Sequence, residues 1–148
     1  MKLIANIDGG SRGNPGPAGA GISIREETGR AILEAGYFLG RMTNNMAEYT
    51  ALLRALDACK ARGAQEVQIY CDSELLVKQI NGEYRVKNET LKDYFDQAMK
   101  MLRTIGAWKI QHVRREGNAR ADELANLAMD AGEDVVEVDR ESARNPSV

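Results

Sequence analysis

The chain has 148 residues, of which 43% are hydrophobic and 28% charged, a composition typical of one soluble globular domain with a sizeable core. No apolar run approaches the roughly 20 residues of a membrane helix and the amino terminus does not resemble a signal peptide, so we expect a cytoplasmic protein without a membrane segment. The net charge of −2 by itself argues against nucleic-acid binding, and the two cysteines form neither a disulfide framework nor a CxxC metal site.

The charge is unevenly distributed along the chain. Residues 78–120 contain ten Lys/Arg and five Asp/Glu, a local net charge of +5, whereas residues 122–148 contain eight acids and two arginines, a local net charge of −6. The whole-chain value hides both segments. The pattern suits two solvated faces as well as a basic surface for an acidic partner, so charge alone does not decide between them.

The hydrophobic pattern predicts nine elements in the order βββαβααβα. The first strand ends at a glycine-rich turn after Asp8, and the next two strands flank a hairpin turn that contains Gly29. Alanines at helical spacing predict the first helix, which Gly63 ends. The predicted strands are 2–8, 18–25, 30–39, 66–71 and 107–113, and the predicted helices are 45–61, 73–80, 90–105 and 119–131.

This order predicts an α/β domain with a mixed five-stranded sheet. We place the domain at residues 1–132 and expect a monomer, with Cys59 and Cys71 buried as small core residues. Residues 133–148 are acidic and polar, and we expect them to form a flexible tail. Within that tail, the alternation of residues 135–138 would also suit a short edge strand.

Four acids share a position at an element boundary: Asp8, Glu48, Asp72 and Asp122. Taken singly, each is compatible with a purely local role. These roles are a turn at Asp8, a capping box from Asn45 to Glu48, a helix cap at Asp72 and a favourable contact of Asp122 with a helix dipole.

Taken together, the four acids predict a site. In an open α/β sheet, ligands bind beyond the carboxyl ends of the strands, where Asp8 and Asp72 both lie. If those strands are parallel neighbours, about 4.8 Å apart, the two carboxylates face the same space, and helix N-termini bring Glu48 and Asp122 to its rim. Carboxylates this close repel unless cations neutralise them, and oxygen ligands favour Mg²⁺ or Mn²⁺. Two such ions roughly 4 Å apart would make a phosphoryl-transfer site, so a nuclease is the leading hypothesis.

Four motifs in this sequence resemble the signature blocks of type 1 ribonuclease H. They are IDGGSRGNPGPAGAG, TNNMAEYTAL, YCDSELLVKQINGEYRVKN and HVRREGNARADELAN, and their order and spacing agree across roughly residues 3–131. The resemblance implies a ribonuclease H-like fold, with sheet order 3-2-1-4-5 and helices on both faces. It also implies an endonuclease that hydrolyses the RNA strand of RNA/DNA hybrids by two-metal-ion cleavage, leaving 5′-phosphate and 3′-hydroxyl ends.

The resemblance assigns roles to individual residues. Those that match the family's four metal-binding catalytic acids are Asp8, Glu48, Asp72 and Asp122, which would bind two Mg²⁺ ions when substrate is present, or Mn²⁺ as a substitute. His112 matches a histidine that assists catalysis or product release. From the residues alone, a single histidine at a strand end suits a structural role equally well.

Substrate recognition would centre on the 2′-hydroxyl, because only this group separates RNA from DNA at a given nucleotide. The residues that match its hydrogen-bonding partners are Gly9, Gly10, Ser11, Asn14, Asn44 and Glu48, and the glycines would also let a sugar-phosphate backbone approach. Thr43 and Asn45 match groups that hold a phosphate of the DNA strand. Residues 43–45 equally suit the capping of a helix.

The sequence departs from the best-known bacterial form in one respect. That form has a basic, tryptophan-rich protrusion, whereas here residues 82–102 pass directly into one helix and Trp108 is the sole tryptophan. We therefore expect a compact member of the family. Arg114 and Arg115 are its predicted hybrid contacts, and the other basic residues that would replace the protrusion's phosphate contacts are Lys78, Arg85, Lys87 and Arg120.

Two alternatives remain open at this stage. One is a module that binds hybrids without cutting them, since a fold does not determine a function. The other is a DNA nuclease of the same fold, such as a resolvase or integrase-like enzyme. A nucleotide-binding loop at residues 9–16 is excluded, because neither a Gly-Lys-Ser/Thr nor a Gly-x-Gly-x-x-Gly pattern is present.

Overall fold

The computed structural model describes residues 1–141 of the chain. All nine predicted elements are present, one further strand follows them, and a single turn of 3-10 helix (Arg115–Asn118) precedes the last helix. The elements are β1 (Lys2–Ser11), β2 (Gly16–Glu26), β3 (Ala31–Met42), α1 (Asn44–Ala61), β4 (Glu66–Cys71), α2 (Glu74–Ile80), α3 (Glu89–Ile105), β5 (Ala107–His112), α4 (Ala119–Ala131) and β6 (Val135–Asp139).

The sheet has six strands in the order β5-β4-β1-β2-β3-β6. β1 pairs with β2 in antiparallel and with β4 in parallel orientation, so the predicted order of the first five strands is confirmed. The predicted count of five strands is wrong, because β6 adds to the free edge of β3. After α4 the chain turns at Gly132, whose φ of 67° is easily reached only by glycine, and returns antiparallel along β3.

The added strand β6 lies within the carboxyl-terminal segment that the sequence analysis treated as a tail. The edge strand considered for residues 135–138 is present as β6, and the carboxylate of Asp134 anchors its start by accepting from the Phe38 N–H at 2.9 Å. The division into a domain (1–132) and a flexible tail (133–148) stays a prediction. Residues 142–148 lie outside the described part of the chain.

Helices α1 and α4 lie on opposite faces of the sheet. Successive residues of a strand point to opposite faces, so the residues that meet each helix show which face it covers. Gly9 of β1 and its paired residue Ala20 face α1, whereas the next residue of β2, Gly21, faces α4. The main core fills the α1 side, where apolar residues of the sheet meet α1 and α3, and both cysteines are buried there as predicted. None of the helices within residues 1–141 combines the length and the apolar composition needed to cross a bilayer.

Two glycines let α4 lie directly on the sheet. A Cβ atom on Gly21 would overlap the carbonyl oxygen of Ala121, and one on Gly36 would overlap that of Leu124. Both positions therefore exclude any side chain while α4 remains in place. Since Ala121 directly precedes Asp122, this contact also sets how far Asp122 stands from β1.

Replacing Gly21 by alanine should therefore lift α4 from the sheet. We expect Gly21→Ala to lower the free energy of unfolding by about 1–3 kcal/mol, the usual cost of overpacking. Thermal unfolding measures this change. Gly117→Ala is the control, because its added Cβ would meet only the Val113 Cβ at 3.7 Å. Equal melting temperatures for the two variants would show that α4 shifts without cost.

Candidate active site

The parallel pairing of β1 with β4 brings two acids together. The last residues paired between these strands are Ile7 and Cys71, and the next residue on each is an acid, Asp8 and Asp72. β1 continues past Asp8 to Ser11, paired with β2, so Asp8 lies inside a strand and is not a turn former. The structure thus brings Asp8 and Asp72 to one end of the sheet.

The helix caps are formed by residues other than the acids. The N-cap of α1 is Thr43, whose hydroxyl accepts from the Met46 N–H at 3.2 Å, so a capping box from Asn45 to Glu48 does not form. The N-cap of α2 is Ser73, the residue after Asp72. The carboxylates of Glu48 and Asp72 are therefore not used as caps.

The four acids line one cleft of about 380 Å³ at the carboxyl ends of β1 and β4. Asp8 and Glu48 are only 8% and 6% exposed, whereas Asp72 and Asp122 are half-buried. Asp122 lies in the first turn of α4, as predicted. Of the predicted substrate-binding residues, those that line the same cleft are Gly9, Gly10, Ser11, Asn44 and Arg115.

The buried acids strongly disfavour a negative charge. Burial, followed by the charges of Glu48 and Asp72, raises the pKa of Asp8 from 3.8 to about 9. Burial and the charge of Asp72 raise the pKa of Glu48 to about 8, although the Gly9 N–H donates to its carboxylate and opposes the shift. Without a compensating cation, each of the two side chains therefore binds a proton more readily than an exposed carboxyl group does.

A buried thiol also lies at the base of the cleft. Ligand atoms of Glu48, Cys71 and Asp72 lie within 4.8 Å of one another, a spacing that one metal ion could bridge. Burial and the neighbouring carboxylates, Glu48 first, raise the pKa of Cys71 well above its usual range, so the sulfur keeps its proton. Its Sγ lies 3.9 Å from Oε2 of Glu48, where the thiol donates to that carboxylate. Cys71 is therefore a neighbour of the acids and not a thiolate ligand.

The arrangement fits a hard divalent cation. The donors that converge on the cleft are carboxylate oxygens, the ligands that Mg²⁺ and Mn²⁺ prefer, and their mutual repulsion is what a cation would relieve. The residues positioned to hold such ions are Asp8, Glu48, Asp72 and Asp122.

The remaining predicted residues lie outside this cleft. Asn14, Thr43 and Asn45 line a second cleft of about 360 Å³, together with Asn88 and Leu91 at the start of α3. Asn14 also connects the two clefts, because its Oδ1 accepts from the main-chain N–H of Asn44 at 3.0 Å.

The predicted histidine and Arg114 are both exposed. His112 ends β5 opposite Cys71, at the same end of the sheet as the acids, but it does not line the cleft. Arg114 lines neither of the two clefts, whereas the adjacent Arg115 lines the first. The sequence predicts both arginines as hybrid contacts, but in the structure only Arg115 of the two lines the cleft with the acids.

The two glycines after Asp8 have different surroundings. A Cβ atom on Gly9 would overlap the main chain at Ala47, so the bare Cα of Gly9 accommodates α1. The nearest atom to such a Cβ on Gly10 is Oδ1 of Asn44, at 3.6 Å. Both glycines line the cleft, so the close approach of a sugar-phosphate backbone to their main chain stays a prediction.

Arg120 is held by acids on three elements. It bonds to Glu34 at 3.1 Å, to Glu137 at 2.5 Å and to the nearby Glu123. These bonds link the first turn of α4 to β3 and β6. They also use three of the five guanidinium donors, and the role of Arg120 as a phosphate contact stays a prediction.

Three residues that sequence reasoning missed support the site: Arg12, Asn118 and Asn126. Asn118, at the N-cap position of α4, accepts no capping bond through its side chain. Instead its Nδ2 donates to the carbonyl of Ile7 at 2.8 Å, and its Oδ1 accepts from Asn6. A buried amide thus joins the start of α4 to the residue before Asp8. The sequence signal, an asparagine just before a helix, is indistinguishable from that of an ordinary cap.

The fold and the cleft define an α/β protein whose candidate active site is a cluster of carboxylates at the ends of parallel strands. A family model described as "Reverse transcriptase-like" matches residues 6–128 of the chain. Ribonuclease HI of Halobacterium salinarum is 41% identical over 129 residues, which cover 87% of this chain and 65% of that protein. The crystal structure of RNase H1 from that organism has a TM-score of 0.86 at 40% identity, over 88% of this chain and 99% of that one.

Two further comparisons agree. LC11-RNase H1, isolated from compost by a metagenomic approach and solved in complex with an RNA/DNA hybrid, has a TM-score of 0.84 at 43% identity, over 88% of this chain and 98% of that one. The bifunctional protein Rv2228c of Mycobacterium tuberculosis is 39% identical over 97% of this chain, which spans 40% of that protein. The chain thus spans about two thirds or less of these curated relatives. It belongs to the ribonuclease H family.

Removing the charge of Asp8 should stabilise the cation-free protein at neutral pH. Because folding raises the Asp8 pKa from 3.8 to about 9, the folded state holds a proton that the unfolded state releases, so stability falls as pH rises between these values. We expect Asp8→Asn in EDTA at pH 8 to melt about 3 °C or more above wild type. The difference should shrink towards pH 4.

Asp96→Asn, on the exposed side of α3, is the matched control and should not change the melting temperature. Mg²⁺ should raise the melting temperature of the wild type and not that of Asp8→Asn, because a ligand that binds only the folded state stabilises it. A pH-independent difference between wild type and Asp8→Asn would contradict the electrostatic explanation.

Proposed function

We propose that this protein is an endonuclease that hydrolyses the RNA strand of RNA/DNA hybrids with two bound divalent cations, leaving 5′-phosphate and 3′-hydroxyl ends. The observation that carries the proposal is the convergence of four carboxylates on one cleft, from β1, α1, the end of β4 and α4. Membership of the ribonuclease H family and the hybrid complex of LC11-RNase H1 support the choice of substrate.

Each acid would hold cations from a rigid position. Asp8 stands on β1, and Asp72 directly follows the neighbouring parallel strand β4. Glu48 lies just after the first turn of α1 and Asp122 in the first turn of α4, on opposite faces of the sheet. Bound Mg²⁺ or Mn²⁺ would supply activation of the attacking water and stabilisation of the leaving oxygen. The protein's own part is to hold the four carboxylates in place against their repulsion.

Recognition of the RNA strand would use main-chain and amide groups beside the acids. Gly10, Ser11 and Asn44 line the cleft, and Oδ1 of Asn44 accepts from the Ser11 N–H at 3.3 Å, which fixes the two segments relative to each other. Such fixed donors and acceptors suit a 2′-hydroxyl, which both donates and accepts. The second cleft, with Asn14, Thr43 and Asn45, would hold a phosphate of the DNA strand.

Asp72→Asn should abolish cleavage of an RNA/DNA hybrid while hybrid binding survives, because the change removes a cation ligand but no positive charge. The measurement compares labelled hybrid, duplex DNA and duplex RNA with Mg²⁺, with Mn²⁺ and with chelator. We expect only the hybrid to be cut, and only with metal. Asp96→Asn should cut at the wild-type rate.

Other outcomes of this assay decide between the alternatives. Hybrid binding without any cutting by the wild type would indicate a binding module, and cutting of duplex DNA would indicate a DNA nuclease. Cleavage by Asp72→Asn at the wild-type rate would overturn the metal assignment. The monomeric state and the cytoplasmic location stay predictions.

His112→Ala should slow turnover without abolishing it. His112 lies exposed at the end of β5, next to the strand that carries Asp72 but outside the cleft lining, which suits proton transfer or product release better than cation binding. Steady-state turnover on the hybrid measures the effect, for which we expect about a 10²-fold loss. Gln111→Ala is the matched control on the same strand. Complete loss of activity in His112→Ala would instead make the residue a ligand or a structural element.

A further inference from the structure

The cleft that holds the four acids contains one basic residue that the sequence analysis did not single out. Of the described residues that line it, two are cationic: Arg115 from the 3-10 turn and Arg12 from the loop between β1 and β2. The four acids of the same cleft would repel the phosphates of any nucleic acid that enters. A basic side chain inside the cleft would offset this repulsion where the phosphates enter.

The side chain of Arg12 is held in place by α4. Its Nη2 atom donates to Oδ1 of Asn126 at 3.1 Å and to Oδ1 of Asp130 at 2.6 Å. These bonds use both N–H groups of Nη2, and within residues 1–141 no side-chain partner occupies Nε or Nη1. Three of the five guanidinium donors therefore remain, one on Nε and two on Nη1, for contacts with a phosphate.

Asn126 connects Arg12 to a catalytic acid. The Nδ2 group of Asn126 donates to the carbonyl of Asp122 at 3.0 Å and lies 3.5 Å from its Oδ1. Because Asn126 accepts from Arg12 through its oxygen, its amide nitrogen is left to face Asp122. The guanidinium is thereby fixed relative to one of the proposed cation ligands.

We propose that Arg12 is a substrate-binding residue that contacts a phosphate of the RNA strand beside the proposed cleavage site. The inference rests on the proposed function for the identity of the strand. Asn126 and Asp130 are positioning residues, which hold the guanidinium at the cleft. The contact is sequence-independent, as phosphate contacts are, and contributes to affinity through charge.

The test measures binding of an RNA/DNA hybrid in the presence of EDTA by the full chain carrying Asp72→Asn, so that cleavage does not interfere. Adding Arg12→Ala should weaken binding about tenfold and reduce the slope of log affinity against log salt by about 1. Adding Arg12→Lys should keep most of the slope, because the charge remains, while binding still weakens because lysine has a single nitrogen to bond Asn126, Asp130 and the phosphate.

Arg30→Ala provides the matched control. The Arg30 side chain is 42% exposed and pairs with Glu26, and the Arg12 side chain is 45% exposed and pairs with Asp130, but Arg30 follows the turn of the β2–β3 hairpin and does not line the cleft. Arg30→Ala should leave affinity and salt slope unchanged. Melting temperatures of both variants separate a folding defect from a binding defect.

The outcomes distinguish this proposal from the proposed function. Unchanged affinity and slope in Arg12→Ala would overturn the role of Arg12, even if the wild type cuts hybrids. A wild type that binds hybrid without cutting it, and that loses affinity with Arg12→Ala, would overturn the nuclease and leave the phosphate contact standing. A wild type that does not bind the hybrid would overturn both.

Discussion

The mutual repulsion of four carboxylates in one cleft is the constraint on which the rest of this structure depends. Two of them, Asp8 and Glu48, are buried, and burial together with neighbouring charge raises both pKa values. Groups that repel one another separate unless the backbone that carries them is rigid. The chain meets this requirement by placing Asp8, Glu48 and Asp122 on strands or helices, and Asp72 between the end of β4 and the N-cap of α2.

Small residues and a buried amide supply part of that rigidity. Gly9 lets α1 rest directly on β1, and Gly21 does the same for α4 on β2. Asn118 then ties the start of α4 to the main chain just before Asp8. The two glycine contacts fix the separation between the backbones because they join main-chain atoms, and the side chain of Asn118 is itself buried. Side-chain flexibility therefore cannot relax the distances between the acids.

The structure also explains the uneven charge of the sequence. Acids of the negative carboxyl-terminal segment pair with arginines of the helices, Glu137 with Arg120 and Asp139 with Arg62. Two of the acids in this segment therefore form ion pairs that help to hold β6 against the rest of the structure. Among the residues described, the cations that face the acidic cleft are Arg12 and Arg115. A net charge of −2 is thus compatible with a local surface for nucleic acid.

The sequence by itself determined the nine elements and pointed to the four acids, because both depend on local periodicity and on polar residues that interrupt it. The order of the first five strands came from the resemblance to a known family. Only the tertiary structure decided that Thr43 and Ser73 are the caps, that β6 joins the sheet, and that Arg12 reaches the cleft. The bond from Arg12 to Asn126 spans 114 positions and that from Asn118 to Ile7 spans 111. No local pattern encodes such pairs, since they exist only after the sheet and its helices have assembled.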